Sequence, residues 1–226
     1  MNENTIQNNC IKQFILRIDF ADDFPIVNLL NGLRNLFIRV EERKLLEVEF
    51  TINSGANFHN VSKKDHIDQV LVGENGATLT LSNQHKAIIF SSNYYSDNSV
   101  YKELLAKIIS VCSSVADSKI YAKRIGLRYI NELPCSKLFK IGKIFQRGYA
   151  TAIKNLLQDE NVNRAILVQF RKKDDYNSKI QFGIINKFFP AEIINYDLLL
   201  DIDSYFTLTA SGQCNELSVK LHISEG

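Results

Sequence analysis

Hydrophobic and polar positions alternate from the start of the chain. Phe14, Leu16, Ile18 and Phe20 interleave with Gln13, Arg17 and Asp19, the two-residue period of a half-buried strand. Asp22-Asp23-Phe24-Pro25 then signals a helix start, with Pro25 tolerated in the first turn. Ile26, Leu29, Leu30, Leu33 and Phe37 continue at helical spacing. Strand patterns follow at Leu45 to Ile52, Gln69 to Val72, Thr78 to Leu81 and Lys86 to Ser92, with a hairpin turn signal at Glu74-Asn75-Gly76. A second helix is predicted from Ser99 to Val115, turning Leu104, Leu105, Ile108 and Val111 inward.

The order of elements then restarts. Lys119 to Glu132 reads as a long strand closed by Pro134, and Lys137 to Leu157 as an amphipathic helix. Strands are predicted at Arg164 to Arg171, Lys179 to Phe189 and Leu198 to Thr209. The expected fold class is α+β, built from two similar β-α-β-β-β-(α) halves. Their strands should pair mostly antiparallel, with helices packed on one face. The halves span 1–118 and 119–226 and are expected to share a core, because no Pro- or Gly-rich linker separates them. No residue-level repeat relates them, so the duplication rests on element order alone. The second half lacks a closing helix, since only a short apolar segment, Leu217 to Ile223, follows its last strand.

A chain of 226 residues with 45% hydrophobic and 23% charged residues has the composition of an ordinary globular protein. Met1 to Asn9 is polar and is expected to be loose. No apolar run approaches the roughly 20 residues that span a bilayer, and no secretory leader pattern opens the chain. The expectation is a cytoplasmic protein with no membrane partner. Cys10, Cys112, Cys135 and Cys214 are scattered, with no C-x-x-C pair, and are read as buried free thiols.

The run Lys123-Arg124-Ile125-Gly126-Leu127-Arg128-Tyr129-Ile130-Asn131-Glu132 resembles a sporadically distributed bacterial family carrying an R-I-G-L-R-Y-I-N block near mid-chain. The likeness extends upstream through Leu79 to Tyr95 and downstream through Leu200 to Tyr205. It implies a fold and a bacterial setting among mobile or defence genes, and no established activity. Members of that family continue into a C-terminal helix after a segment like Leu217 to His222, and this chain is short around Ser54 to Lys64.

The chemistry-bearing residues fall into three groups. Arg124 and Arg128 share one strand face about 13 Å apart, with the side-chain-free Gly126 between them. Two guanidinium forks there would suit a phosphate or carboxylate, or would pair with Asp201 and Asp203 on a neighbouring strand. Asp201 and Asp203 form a D-x-D that could hold a divalent cation if a third ligand joined them, and otherwise reads as solvated or arginine-paired. The third group is a basic helix stripe of Lys140, Lys143, Arg147 and Lys154, with Lys137 at its edge. It lies in a segment, 119–173, that holds 13 Lys and Arg against three acids, while the rest of the chain is net −8. Such a stripe tracks phosphates or meets an acidic partner, or is merely solvated.

No His spacing, P-loop, G-x-S-x-G or dinucleotide fingerprint accompanies these groups. The sequence therefore leans away from an enzyme and calls for no cofactor. It points first to a protein-interaction module of a defence or mobile-element system, with a protein partner or a homodimer formed over the uncovered second half. A nucleic-acid-binding protein using helix 137–157 is the alternative. A phosphate-handling enzyme with a D-x-D metal site is the third reading.

Overall fold

The computed structural model describes residues 11–52, 59–95, 98–114, 121–135, 147–156, 164–186 and 196–208. No described helix is long and apolar enough to cross a membrane. The class is α+β. Nine strands are β1 (Ile11–Phe20), β2 (Arg39–Ile52), β3 (His59–Val72), β4 (Thr78–Ser82), β5 (Ala87–Ser92), β6 (Ala122–Cys135), β7 (Arg164–Lys173), β8 (Tyr176–Ile185) and β9 (Tyr196–Thr207). Among the described residues the α-helices are α1 (Ile26–Leu33), α2 (Asn98–Ser114) and α3 (Arg147–Leu156). The ladders β2–β3, β3–β4, β4–β5, β7–β8 and β8–β9 are all antiparallel.

The chain forms two compact units, each assembled from separated segments. The first comprises residues 1–16, 92–95 and 126–207, and the second 17–91, 96–125 and 208–226. Within the second unit the strand order is β2-β3-β4-β5-β1-β6. Its core contains Ile18, Phe20, Leu71, Leu79, Leu81 and Ile88, each at most 4% exposed. Helix α1 follows Phe24, which is buried like Leu29 five residues on, the pair of positions that forms a hydrophobic staple around a helix start. Pro25 sits at its N-cap, one place before the expected first turn.

Strands β2 and β3 are longer than their apolar patterns predict. β2 begins at Arg39 rather than Leu45, and β3 at His59 rather than Gln69. The extra length of β3 is the polar run His59 to Asp68, whose ladder is supplied by β2 in an unbroken register from Arg39↔Val72 to Ile52↔His59. β4 supports this hairpin only at Gln69–Val72. The turn into β4 falls where expected, with Asn75 and Gly76 at φ 53° and 74°.

Within the first unit the strand order is β1-β6-β9-β8-β7. β1 contributes Phe14 and Leu16, each 1% exposed, and the Phe14 ring packs against Tyr95 and Tyr129 at centroid distances of 5.6 and 5.2 Å. β6 runs past Pro134 to Cys135, further than expected, because a proline near a strand end forfeits no interior ladder bond. On one sheet face Ala165, Phe182, Ile184 and Leu198 form a core with Ala150 and Ile153 of α3. β7 and β8 meet at a two-residue turn, Asp174-Asp175, with Asp174 at φ 53°. Gly183 is required near the far end of that ladder, opposite Ile166: a Cβ there would lie 1.9 Å from the Ala165 carbonyl oxygen.

Candidate functional site

The sheet face of the first unit opposite α3 gathers several of the residues singled out above. Register fixes its composition, since directly opposed residues project to the same side. Ile166, Val168, Phe170 and Lys172 on β7 oppose Gly183, Gln181, Lys179 and Asn177 on β8. Those in turn oppose Leu199, Asp201, Asp203 and Tyr205 on β9. Ala165, Phe182, Ile184 and Leu198, which pack on α3, have the other parity.

At the centre of this face Arg128 grips Asp201 with both prongs of its fork. Its Nε donates to Oδ1 at 2.8 Å and its Nη2 to Oδ2 at 2.6 Å. Gln181 Nε2 adds a third donor to Oδ2 at 3.1 Å. The Asp201 side chain is 5% exposed and that of Arg128 41%. The hydrogen bond to Asp201 pushes the Arg128 guanidinium above its ordinary value; the negative charges of Asp201 and Asp203 reinforce that against the opposing effect of burial. A bidentate pair with its carboxylate buried and triply hydrogen-bonded is a fixed structural element. Pairing, one of the two readings open for Arg128, is what the structure has.

Arg124 meets an acid of β1. Its Nη1 lies 3.5 Å from Asp19 Oδ2 of β1, and Arg17 Nε donates to Asp19 Oδ1 at 2.7 Å. The expectation that an arginine of this strand would meet Asp201 or Asp203 holds for Arg128. For Arg124 the structure adds an acid on β1 that parity along β6 did not name. Asp203 stands opposite Lys179. Among the described residues no group of three or more His, Cys, Asp or Glu is arranged to hold a metal ion.

Of the basic stripe, Arg147 and Lys154 lie on α3 and are exposed, seven residues apart on one side of the helix, while Ala150 and Ile153 are buried. Lys140 and Lys143 lie outside the described residues, as does Leu217 to Ile223, on which the uncovered second half was argued. Cys112 is buried, as expected, and carries a thiol; Phe182 belongs to the core.

Periodicity did not single out the outer part of the same face. Val168 is 48% exposed and Phe170 76%, although Val168 closes an unbroken apolar run from Ala165. β7 ends the sheet order, with a neighbour on one side only among the described strands. Lys179 Nζ stands 6.0 Å from the Phe170 ring centroid, a cation–π approach at an exposed site. β7 also carries Arg164, Arg171, Lys172 and Lys173 and no acid; Asp174 and Asp175 are confined to the turn. The one available signal was this basic flanking of an apolar run, a device common on edge strands.

No protein-family model matches the chain, and no curated protein matches it.

Proposed function

We propose that this protein is a non-enzymatic protein-interaction module that engages its partner through the open sheet face and edge of the first unit. The observation that carries the reading is Phe170, an aromatic ring 76% exposed on the outermost strand, with Val168 beside it. Exposed aromatics on a rigid strand supply contact area at little entropic cost, and they are enriched at interfaces. The other groups on this face do not compete for a small ligand. An anion at Arg128 would have to displace a bidentate carboxylate, and a cation at Asp201 would have to displace Arg128 and Gln181.

The setting in a bacterial defence or mobile-element system follows from the mid-chain resemblance. The two-halves duplication is likewise proposed, on the order strand–helix–strands that opens both β1-α1 and β6-α3. The alternative partner, nucleic acid, is favoured by Arg147 and Lys154, which stand exposed on one side of α3.

One experiment separates the readings. A photo-crosslinking phenylalanine analogue is placed at position 170 or at position 154, and the protein is irradiated in its native cells. The module reading expects a discrete protein adduct from position 170 and none from position 154. A nucleic-acid adduct from position 154, with nothing from position 170, would replace it with the alternative.

A further inference from the structure

Resting on that reading, we infer that the partner binds as an added β-strand: an extended segment of another protein, acidic at both ends and apolar at alternate positions between them, pairs with the edge of β7 that no described strand covers.

The backbone makes the edge available. The two-residue turn Asp174-Asp175 closes on the pair Lys173 and Tyr176. A loop of that length closes on a hydrogen-bonded pair, and the bonded pairs then alternate along an antiparallel ladder. Residues 173, 171, 169, 167 and 165 thus spend their N–H and C=O on β8. Arg164, Ile166, Val168, Phe170 and Lys172 turn theirs outward. These are the same residues whose side chains lie on the open face, so one incoming strand meets both the unpaired backbone and the exposed apolar groups. Strand addition uses this combination: main-chain bonds supply affinity and alternate side chains supply specificity.

Charge decides the class of occupant. Along the open face β7 reads Arg164, Ile166, Val168, Phe170, Lys172, three apolar positions between two cations. Arg171 and Lys173 add positive charge on the other side of the strand. A second copy of β7 laid antiparallel would set cations near cations, and like charges opposed across strands destabilise pairing. A segment with carboxylates at both ends neutralises Arg164 and Lys172 whichever way it runs. The basic ends thus reject self-pairing while admitting an acidic strand. Nine residues at about 3.4 Å each, roughly 30 Å, cover the edge from Arg164 to Lys172.

The test uses the full chain and a designed peptide, acetyl-Asp-Thr-Val-Thr-Val-Thr-Val-Thr-Glu-amide, labelled for fluorescence anisotropy. Three controls accompany it: the same peptide with Lys at both ends, one N-methylated at alternate residues, and a labelled single-stranded oligonucleotide. Val168→Pro is the diagnostic variant, because its N–H faces outward and proline is tolerated at such edge positions. Circular dichroism and melting establish that the variant is folded, and Lys172→Glu provides a second variant that leaves the backbone untouched.

The acidic peptide is expected to bind at least tenfold more tightly than the lysine-ended or N-methylated one. Binding should weaken at least tenfold in Val168→Pro and at least threefold in Lys172→Glu, and should decline as salt rises. Equal binding of acidic and lysine-ended peptides, or undiminished binding to folded Val168→Pro, overturns the inference. So does preferential binding of the oligonucleotide, self-association that Val168→Pro abolishes, or no binding of the acidic peptide at high micromolar concentration. A protein adduct at position 170 alongside a failed peptide would retain the module and discard the strand mode.

Discussion

Asp201 is held by three hydrogen bonds in a place water scarcely reaches, so its partner matters more than an exposed arginine usually does. Arg128→Ala strips the Asp201 carboxylate, 5% exposed in the intact pair, of its arginine and leaves Gln181 donating to it. Removing one member of such a pair should cost about 3 kcal/mol in a denaturant titration, chiefly from the stranded charge. Arg128→Met with Asp201→Leu should recover most of that loss, because both buried-charge costs vanish together. The sign of the pH effect is fixed by the raised Arg128 value. Its contribution is fully present below the ordinary arginine range and is lost only above it, so Arg128 adds no pH dependence near neutrality. Gly183 is a second residue-scale test. Gly183→Ala drives a Cβ into the Ala165 carbonyl, which is backbone and cannot rotate aside; a loss above about 3 kcal/mol is expected. Gly32→Ala also meets a neighbour, Val111 Cγ1 at 2.6 Å. That neighbour is a side chain, but a β-branched one held to one rotamer in α2, so the clash outweighs the roughly 1 kcal/mol of helix propensity that alanine returns. Its net cost, read from the same titration, should be about 1–2 kcal/mol.

Among the elements, α3 allows charge to be tested against packing. Arg147→Glu with Lys154→Glu should change stability by no more than about 0.5 kcal/mol, since both are exposed. Ile153→Ala, at a position 0% exposed against Phe182 and Ile184, should cost about 2–4 kcal/mol. Comparable losses from the two substitutions would show that the basic residues are paired. The β2–β3 hairpin offers a dynamic test. Its ladder is continuous, but β4 supports only Gln69–Val72, and a two-stranded ribbon alone is marginal in water. Amides of Lys63 to Asp68 should therefore exchange with deuterium well before those of Val70 and Leu71.

At the scale of the whole molecule, neither compact unit is a continuous stretch of chain. The first takes 11–16 of β1 together with 126–207, and the second takes 17–20 of β1 together with β2 to β5 and 122–125 of β6. A fragment of residues 119–226 carries α3 and β6 to β9 but lacks Phe14 and Tyr95, whose rings pack on Tyr129. Expressed alone, it should show no cooperative thermal transition by circular dichroism, and fragment 1–118 should fail likewise. Two independently melting fragments would refute this account of the units.

Local pattern determined much of the architecture. The alternation in β1, the helical spacing of Leu29 and Leu33, the Asn75-Gly76 turn and the buried Ile153 face of α3 are all written in side-chain period, which local sterics and burial enforce. The pairing of Arg128 was half legible, because parity gives a face and charge gives the type of partner. Tertiary structure decided the rest. It alone placed β7 at the end of the described strand order, exposing Val168 at the close of an apolar run, and it alone set Arg124 beside Asp19. It also extended β3 through a polar stretch with little apolar signal of its own. The physical reason is common to all three. Strand neighbours are chosen by long-range pairing, whose energy resides in contacts between segments far apart in the chain, and no window of one strand contains them.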